Sequence, residues 1–212
     1  MTITQLYDEL SACYGNLDKW WPARDPYEVM VGAILTQNTA WTNVRQALEN
    51  FEGDLSPQRI LDLPLEELKL LIKPAGFFNQ KAVYLKELTT WFAKYDFDVQ
   101  QVARIPLDEL RQELLAVKGV GPETADSILL YAFGLPSFVI DAYTMRICGR
   151  IPVEIGSNYK SAKKAFENSL PLDATLFNHY HALIVTHAKR HCLKKPNCSG
   201  CPVRKHCVSA SI

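Results

Sequence analysis

Apolar and polar positions follow helical rather than strand spacing along most of the chain. The segments YEVMVGAILTQ from residue 27, VRQALENF from 44, PLEELKLLI from 64, KAVYLKELTTWFAKY from 81, LDELRQELLAV from 107 and PETADSILLYAFG from 122 all show it. No run of alternating β-branched residues competes with them. Breaks fall where Pro and Gly interrupt the pattern: WWPARDP near residue 22, DLSP at 54, KPAGFF at 73, ARIP at 103, KGVGP at 118, FGLPS at 133 and RIPVEIGS at 150. The pattern predicts an all-α protein of about ten short helices with short links. Ser56 before Pro57 and Pro64 before LEEL mark helix starts, with prolines and acids where a helix N-terminus tolerates or favours them.

The break at GLPS suggests a domain boundary near residue 135. The expected division is a central helical domain over 21–135, with a helix-hairpin-helix at 108–133. A second domain joins 1–20 to 136–212 and carries a cysteine loop at 192–207. With 212 residues, 48% of them apolar, the chain can bury one large core or two modest ones. Its apolar runs are too short to span a bilayer, and the start lacks the basic flank and apolar stretch of an export signal. A cytoplasmic monomer with no membrane partner is the expectation.

Lys and Arg number 23, as do Asp and Glu, so the formal charge is zero. That argues against holding nucleic acid by bulk charge, and distribution matters more than the total. From Lys189 to Cys207, KRHCLKKPNCSGCPVRKHC has six basic residues and no acidic one. Four of the chain's six cysteines lie in it, at Cys192, Cys198, Cys201 and Cys207, spaced C-x5-C-x2-C-x5-C. Such a cluster reads as metal-binding, for either zinc or an iron–sulfur cluster. Zinc ribbons pair two C-x2-C knuckles, and here there is one. Cys13 and Cys148 read as core residues.

KGVG joins two amphipathic helices, with Pro122 at the first helical position. Gly119 and Gly121 allow backbone angles and close approach that side chains forbid. The turn's free N–H groups suit a phosphate oxygen; the alternative is an ordinary corner with glycines as caps. Downstream, Asp141 enters a helix from an apolar setting, as an N-cap, as a catalytic carboxylate, or as both.

LLAVKGVGPETADSILLYAFGLPSFVIDAYTMRICGR resembles the helix-hairpin-helix, Gly/Pro-rich loop and aspartate of the endonuclease III superfamily of DNA base-excision glycosylases. GAILTQNTAWTNV, AGFFNQKAVYL and HAKRHCLKKPNCSGCPVRKHC resemble, in order, its early helix, its GxxxxKA segment and its iron–sulfur loop, although the first cysteine spacing is five residues where the family has six. The resemblance implies two helical domains with duplex DNA carrying a damaged base in the cleft, and a [4Fe–4S] cluster on the four cysteines. It makes Asp141 the catalytic aspartate. Lys118, Gly119, Val120 and Gly121 grip phosphate, and Lys189, Lys194 and Lys195 form a backbone-facing surface. His187 matches a family histidine and is not assigned to the metal.

Bifunctional members carry a lysine where this chain has Glu123. A carboxylate cannot form a Schiff base, so a monofunctional glycosylase using water is implied. KWWP and the LTQNT-aromatic pattern resemble the 3-methyladenine DNA glycosylase branch, placing Trp20, Trp21, Pro22 and Trp41 around an alkylated purine; core packing is the alternative. Glu123 either adds negative potential toward a cationic base or faces solvent. Gln37 and Asn38 either bond DNA or cap a helix, and Phe77 is either a wedge in the base stack or a buried loop aromatic. A glycosylase for a mismatched or oxidised base, and a non-catalytic damage-binding module, are the rival functions.

Overall fold

The computed structural model describes residues 1–17 and 20–211. Those residues form twelve α-helices with short 3-10 and π turns and no strand, as the hydrophobic spacing predicts. They cluster into two compact units: Trp21–Leu135, and Met1–Trp20 with Pro136–Ile212. No helix among the described residues is long and apolar enough to cross a membrane.

Helix α1 (Ile3–Tyr14) opens on a Thr2/Gln5 capping box and belongs to the second unit. Its buried face runs Ile3, Leu6, Leu10 and passes by a step of four to half-buried Tyr14. Cys13, expected in the core, is exposed for that reason: it sits one residue off the face where α1 ends. Cys148 is buried, as expected.

The first unit comprises α2 (Pro26–Leu35), α3 (Trp41–Glu49), α4 (Pro57–Asp62), α5 (Leu65–Leu71), α6 (Phe78–Ala93), α7 (Val99–Val102), α8 (Leu107–Ala116) and α9 (Pro122–Ser127). Asp25 caps α2 and Pro26 opens it; nine of its ten residues are buried, so this helix is enclosed by its own unit rather than amphipathic. Ser56 caps α4 by accepting the Arg59 N–H, with Pro57 at the first position, as the sequence indicates. After α9 the chain runs on as a π turn, Ile128–Ala132, which packs against α2.

One buried cation holds this unit's loops. Lys81 on α6 is 2% exposed, and its ammonium donates to Leu35 O at 2.8 Å and Ala75 O at 2.9 Å. Those carbonyls end α2 and the 3-10 turn Lys73–Ala75, where the helix dipoles are negative.

The second unit continues with α10 (Ala142–Arg150), α11 (Tyr159–Ser169) and α12 (Ala174–Arg190). Helix α12 packs against α1 and α10. Phe138, Phe166, Phe177 and Tyr180 fill the core between them, with Phe138 stacked on Phe166 at 4.3 Å and edge-on to Phe177 at 5.2 Å.

Candidate functional site

The hairpin between α8 and α9 is built by close backbone packing. Gly119 has φ +89, and a Cβ there would lie 2.1 Å from Cγ of Tyr84 and 2.4 Å from both ring Cδ atoms. Only glycine fits. Val120 is buried and donates its N–H to Val117 O, while Lys118, Gly121 and Glu123 are exposed. Asp126 on α9, fully buried, accepts two bonds from Arg111 on α8, Nε to Oδ1 at 2.8 Å and Nη2 to Oδ2 at 3.1 Å. That bidentate pair locks the two helices on either side of the turn.

Gln37 has a use the sequence does not suggest. Its Nε2 donates to Gly119 O at 2.9 Å and to Thr124 Oγ1 at 3.0 Å, bracing the hairpin from within the unit. Asn38 beside it is exposed in a left-handed conformation, φ +54.

The tryptophans separate into two groups. Trp21 stacks on Tyr131 of the π turn, 5.0 Å between ring centres, and meets Trp41 edge-on at 5.6 Å. All three are half-buried, and Pro22 is exposed. Trp20 instead packs in the second unit, donating its Nε1–H to Asn178 Oδ1 at 3.0 Å.

Phe77 is 62% exposed, which removes the buried-loop reading, and it is held in the left-handed region at φ +46. A bulky residue with positive φ costs energy and persists only where its surroundings impose it. The Lys81 anchor on Ala75 O lies two residues before it.

Asp141 serves as N-cap of α10 and keeps a carboxylate for chemistry. Oδ1 accepts the Thr144 N–H at 2.7 Å and its hydroxyl at 2.8 Å; Oδ2 lies 3.5 Å from His181 Nε2, and the side chain is only 12% exposed. Burial pushes its pKa up, but the nearby His181 imidazole and the two bonds from Thr144 outweigh this and hold it below the ordinary carboxylate value. An ionised carboxylate in a largely buried place can stabilise developing positive charge.

The cysteine loop is tied to α10 and α1. Arg146 Nε donates to Cys192 O at 2.7 Å; Arg150 donates to Cys192 Sγ at 3.2 Å, to Leu193 O at 2.6 Å and to Lys194 O at 2.9 Å. Glu9 on α1 takes Lys205 at 2.9 Å and His206 at 3.1 Å. His187 pairs with the Tyr14 hydroxyl through Nδ1, and its Nε2 is 4.0 Å from Cys201 Sγ. Among the described residues no three His, Cys, Asp or Glu side chains converge as ligands of a metal ion. As a donor set, four thiols in one basic segment with a guanidinium already on one sulfur suit a thiolate-bound, negatively charged group. Lys189, Lys194 and Lys195 are all exposed beside it.

Tyr131, Asn178 and His181 escape sequence reading. Each matters through a contact made only on folding, and their segments carry no local mark beyond helical spacing.

The profile of the HhH-GPD superfamily of base excision DNA repair proteins matches residues 31–171. The protein named "Putative DNA repair glycosylase MJ1434" of Methanocaldococcus jannaschii is 45% identical, over 98% of this chain and 96% of its own length. A trapped endonuclease III–DNA covalent intermediate superposes with a TM-score of 0.84 at 24% identity, over 99% of this chain and 95% of that one, a likeness of fold. The Helicobacter pylori 3-methyladenine DNA glycosylase bound to 1,N6-ethenoadenine gives a TM-score of 0.76 at 27% identity, over 87% of this chain and 96% of that one.

Proposed function

The chain belongs to the HhH-GPD superfamily of base excision DNA repair proteins and is an endonuclease III-like DNA glycosylase; from that membership we propose that it is monofunctional and removes an alkylated purine such as 3-methyladenine. The observation that carries this reading is a carboxylate, not an amine, at position 123 of the hairpin, in a chain whose largely buried Asp141 is held below the ordinary carboxylate pKa. Breaking the N-glycosidic bond places positive charge on the deoxyribose, and Asp141 offsets it. Water then adds at the sugar carbon, its proton passes to the carboxylate, and the bond's electron pair leaves with the base. Glu123 has no amine to form a Schiff base, so the DNA strand stays intact at this step.

The purine assignment rests on aromatic surface. A methylated purine is cationic, and electron-rich indole faces such as those of Trp21 and Trp41 attract it. Trp20, with Pro22 and Glu123, is assigned to the same recognition. A cationic leaving base needs no protonation, so Asp141 suffices without a second acid. Likeness to a 3-methyladenine glycosylase at 27% identity supports the assignment.

The hairpin from Lys118 to Gly121 takes the role of phosphate grip, Phe77 that of wedge, Asn38 that of a contact near the extruded nucleotide, and Gln37 that of a brace behind the hairpin. Cys192, Cys198, Cys201 and Cys207 would hold a [4Fe–4S] cluster, which when bound crosslinks the loop that presents Lys189, Lys194 and Lys195 to the DNA backbone.

Asp141→Asn tests the chemistry. Asn retains the cap oxygen and the size of the side chain and loses the charge, so folding is expected to persist while base release falls by about 100-fold or more. Normal release by this variant would remove the catalytic assignment.

A further inference from the structure

Helix α12 contacts two of the assigned groups from positions one turn apart. Asn178 accepts the Trp20 indole N–H at 3.0 Å. Three residues on, His181 sets Nε2 3.5 Å from Asp141 Oδ2 and makes a T-shaped contact with the Trp20 indole, 5.4 Å between centres and 68° between planes. The histidine is 4% exposed and lies wholly within the second unit, as do Asp141 and Trp20.

The cap holds the carboxylate from one side. Both Thr144 contacts fall on Oδ1. Rotation of an aspartate about its last torsion is soft and moves both oxygens together, so a contact on each oxygen holds the plane more firmly than contacts on one alone. The approach of His181 to Oδ2 adds a second hold on that torsion from the opposite side. At 3.5 Å it stands at the outer limit of a hydrogen bond, and bonds of this kind shorten in the reacting complex.

We propose that His181 is a positioning residue for Asp141, steadying the carboxylate plane through Oδ2 while its own ring is held against the Trp20 indole. The inference rests on the glycosylase reading above and adds to it a residue outside the hairpin, the tryptophans and the aspartate. Misplacing a catalytic group by about 1 Å can cost about 100-fold in rate, which sets the scale of the effect.

The test is single-turnover base release from methylated duplex DNA at varied enzyme concentration, for His181→Phe and His181→Gln, each alone and combined with Asp141→Asn, with thermal unfolding followed in parallel. Phenylalanine keeps the ring against Trp20 and removes the donor; it should slow the chemical step about 10- to 100-fold with half-saturation unchanged. Glutamine, whose amide also donates, should restore most of that loss. Added to Asp141→Asn, His181→Phe should change nothing further. Should His181→Phe not fold, His181→Met against His181→Gln carries the same comparison. Wild-type rates in the phenylalanine variant, an effect on half-saturation alone, or an equal loss in the Asp141→Asn background would overturn the inference and leave the glycosylase reading standing. A native protein that releases no base overturns both.

Discussion

The two glycines of the hairpin carry different burdens, and substituting each with alanine separates folding from DNA contact. At Gly119 a new Cβ would fall 2.1 Å from the Tyr84 ring root, and φ is +89. The ring cannot yield as a flexible chain end would. Overpacking costs about 1–3 kcal/mol and a left-handed alanine about 1–2 more, so Gly119→Ala should lose about 2–5 kcal/mol. For a chain of this size that lowers Tm by roughly 5–15 °C. At Gly121 the backbone is extended, φ −90 and ψ 177, and nothing lies within 4 Å of an added Cβ. Gly121→Ala should therefore unfold within a few degrees of the parent. Its methyl group would keep a phosphate from the turn's N–H groups; losing one charge-assisted bond of about 1.5–3 kcal/mol weakens duplex binding about 10- to 100-fold. Thermal unfolding by circular dichroism, with fluorescence anisotropy on an abasic-analogue duplex at fixed salt, reads both quantities. Unchanged DNA affinity in Gly121→Ala would reduce the hairpin to an ordinary corner, and a native Tm in Gly119→Ala would refute the packing against Tyr84. Removing the ring with Tyr84→Ala should make the Gly119→Ala loss smaller than in the parent.

Other expectations concern the supports of the site. Burial pulls the Lys81 pKa down from 10.5 to about 8, so between those values the unfolded chain binds more protons and stability rises with pH. Relative to Lys81→Met, the wild type should gain up to about 3 kcal/mol from pH 8 to 10.5 in denaturant titrations, and a pH-independent difference would contradict this. Asp126→Ala breaks the bidentate pair with Arg111 from its buried side, and about 3–5 kcal/mol of stability should go with it; a loss under 1 kcal/mol would show that the pair does not hold the hairpin. The purified protein should contain iron and acid-labile sulfide in equal amounts with broad visible absorption, which Cys201→Ser diminishes; zinc without sulfide would correct the cofactor assignment.

The helices were legible because each rests on local signals. Apolar spacing, the Ser56–Pro57 start and the KGVG turn appear in the structure where the sequence puts them. Asp141 was legible as a cap and as an acid, and the geometry lets one oxygen serve the first role while the other faces His181. What escaped was decided by partners far along the chain. Gln37 meets a carbonyl 82 residues away, and Trp20 an amide 158 residues away, so neither could be placed from its neighbours. The adjacent Trp20 and Trp21 read as a pair, yet each packs within a different unit. Cys13 lies outside the core for a subtler reason: a helical face drifts, and at the end of α1 it has already passed to Tyr14.

Incubation of the purified protein with methylated duplex DNA, with released bases separated by chromatography and the strands by denaturing electrophoresis, with and without borohydride, tests the pocket and Glu123 together. Free 3-methyladenine, strands that break only on later alkaline treatment, and no borohydride-trapped protein–DNA adduct are expected. Strand scission with a trapped adduct would contradict the meaning given to Glu123, and absence of any released alkylated base would contradict the assignment of the pocket.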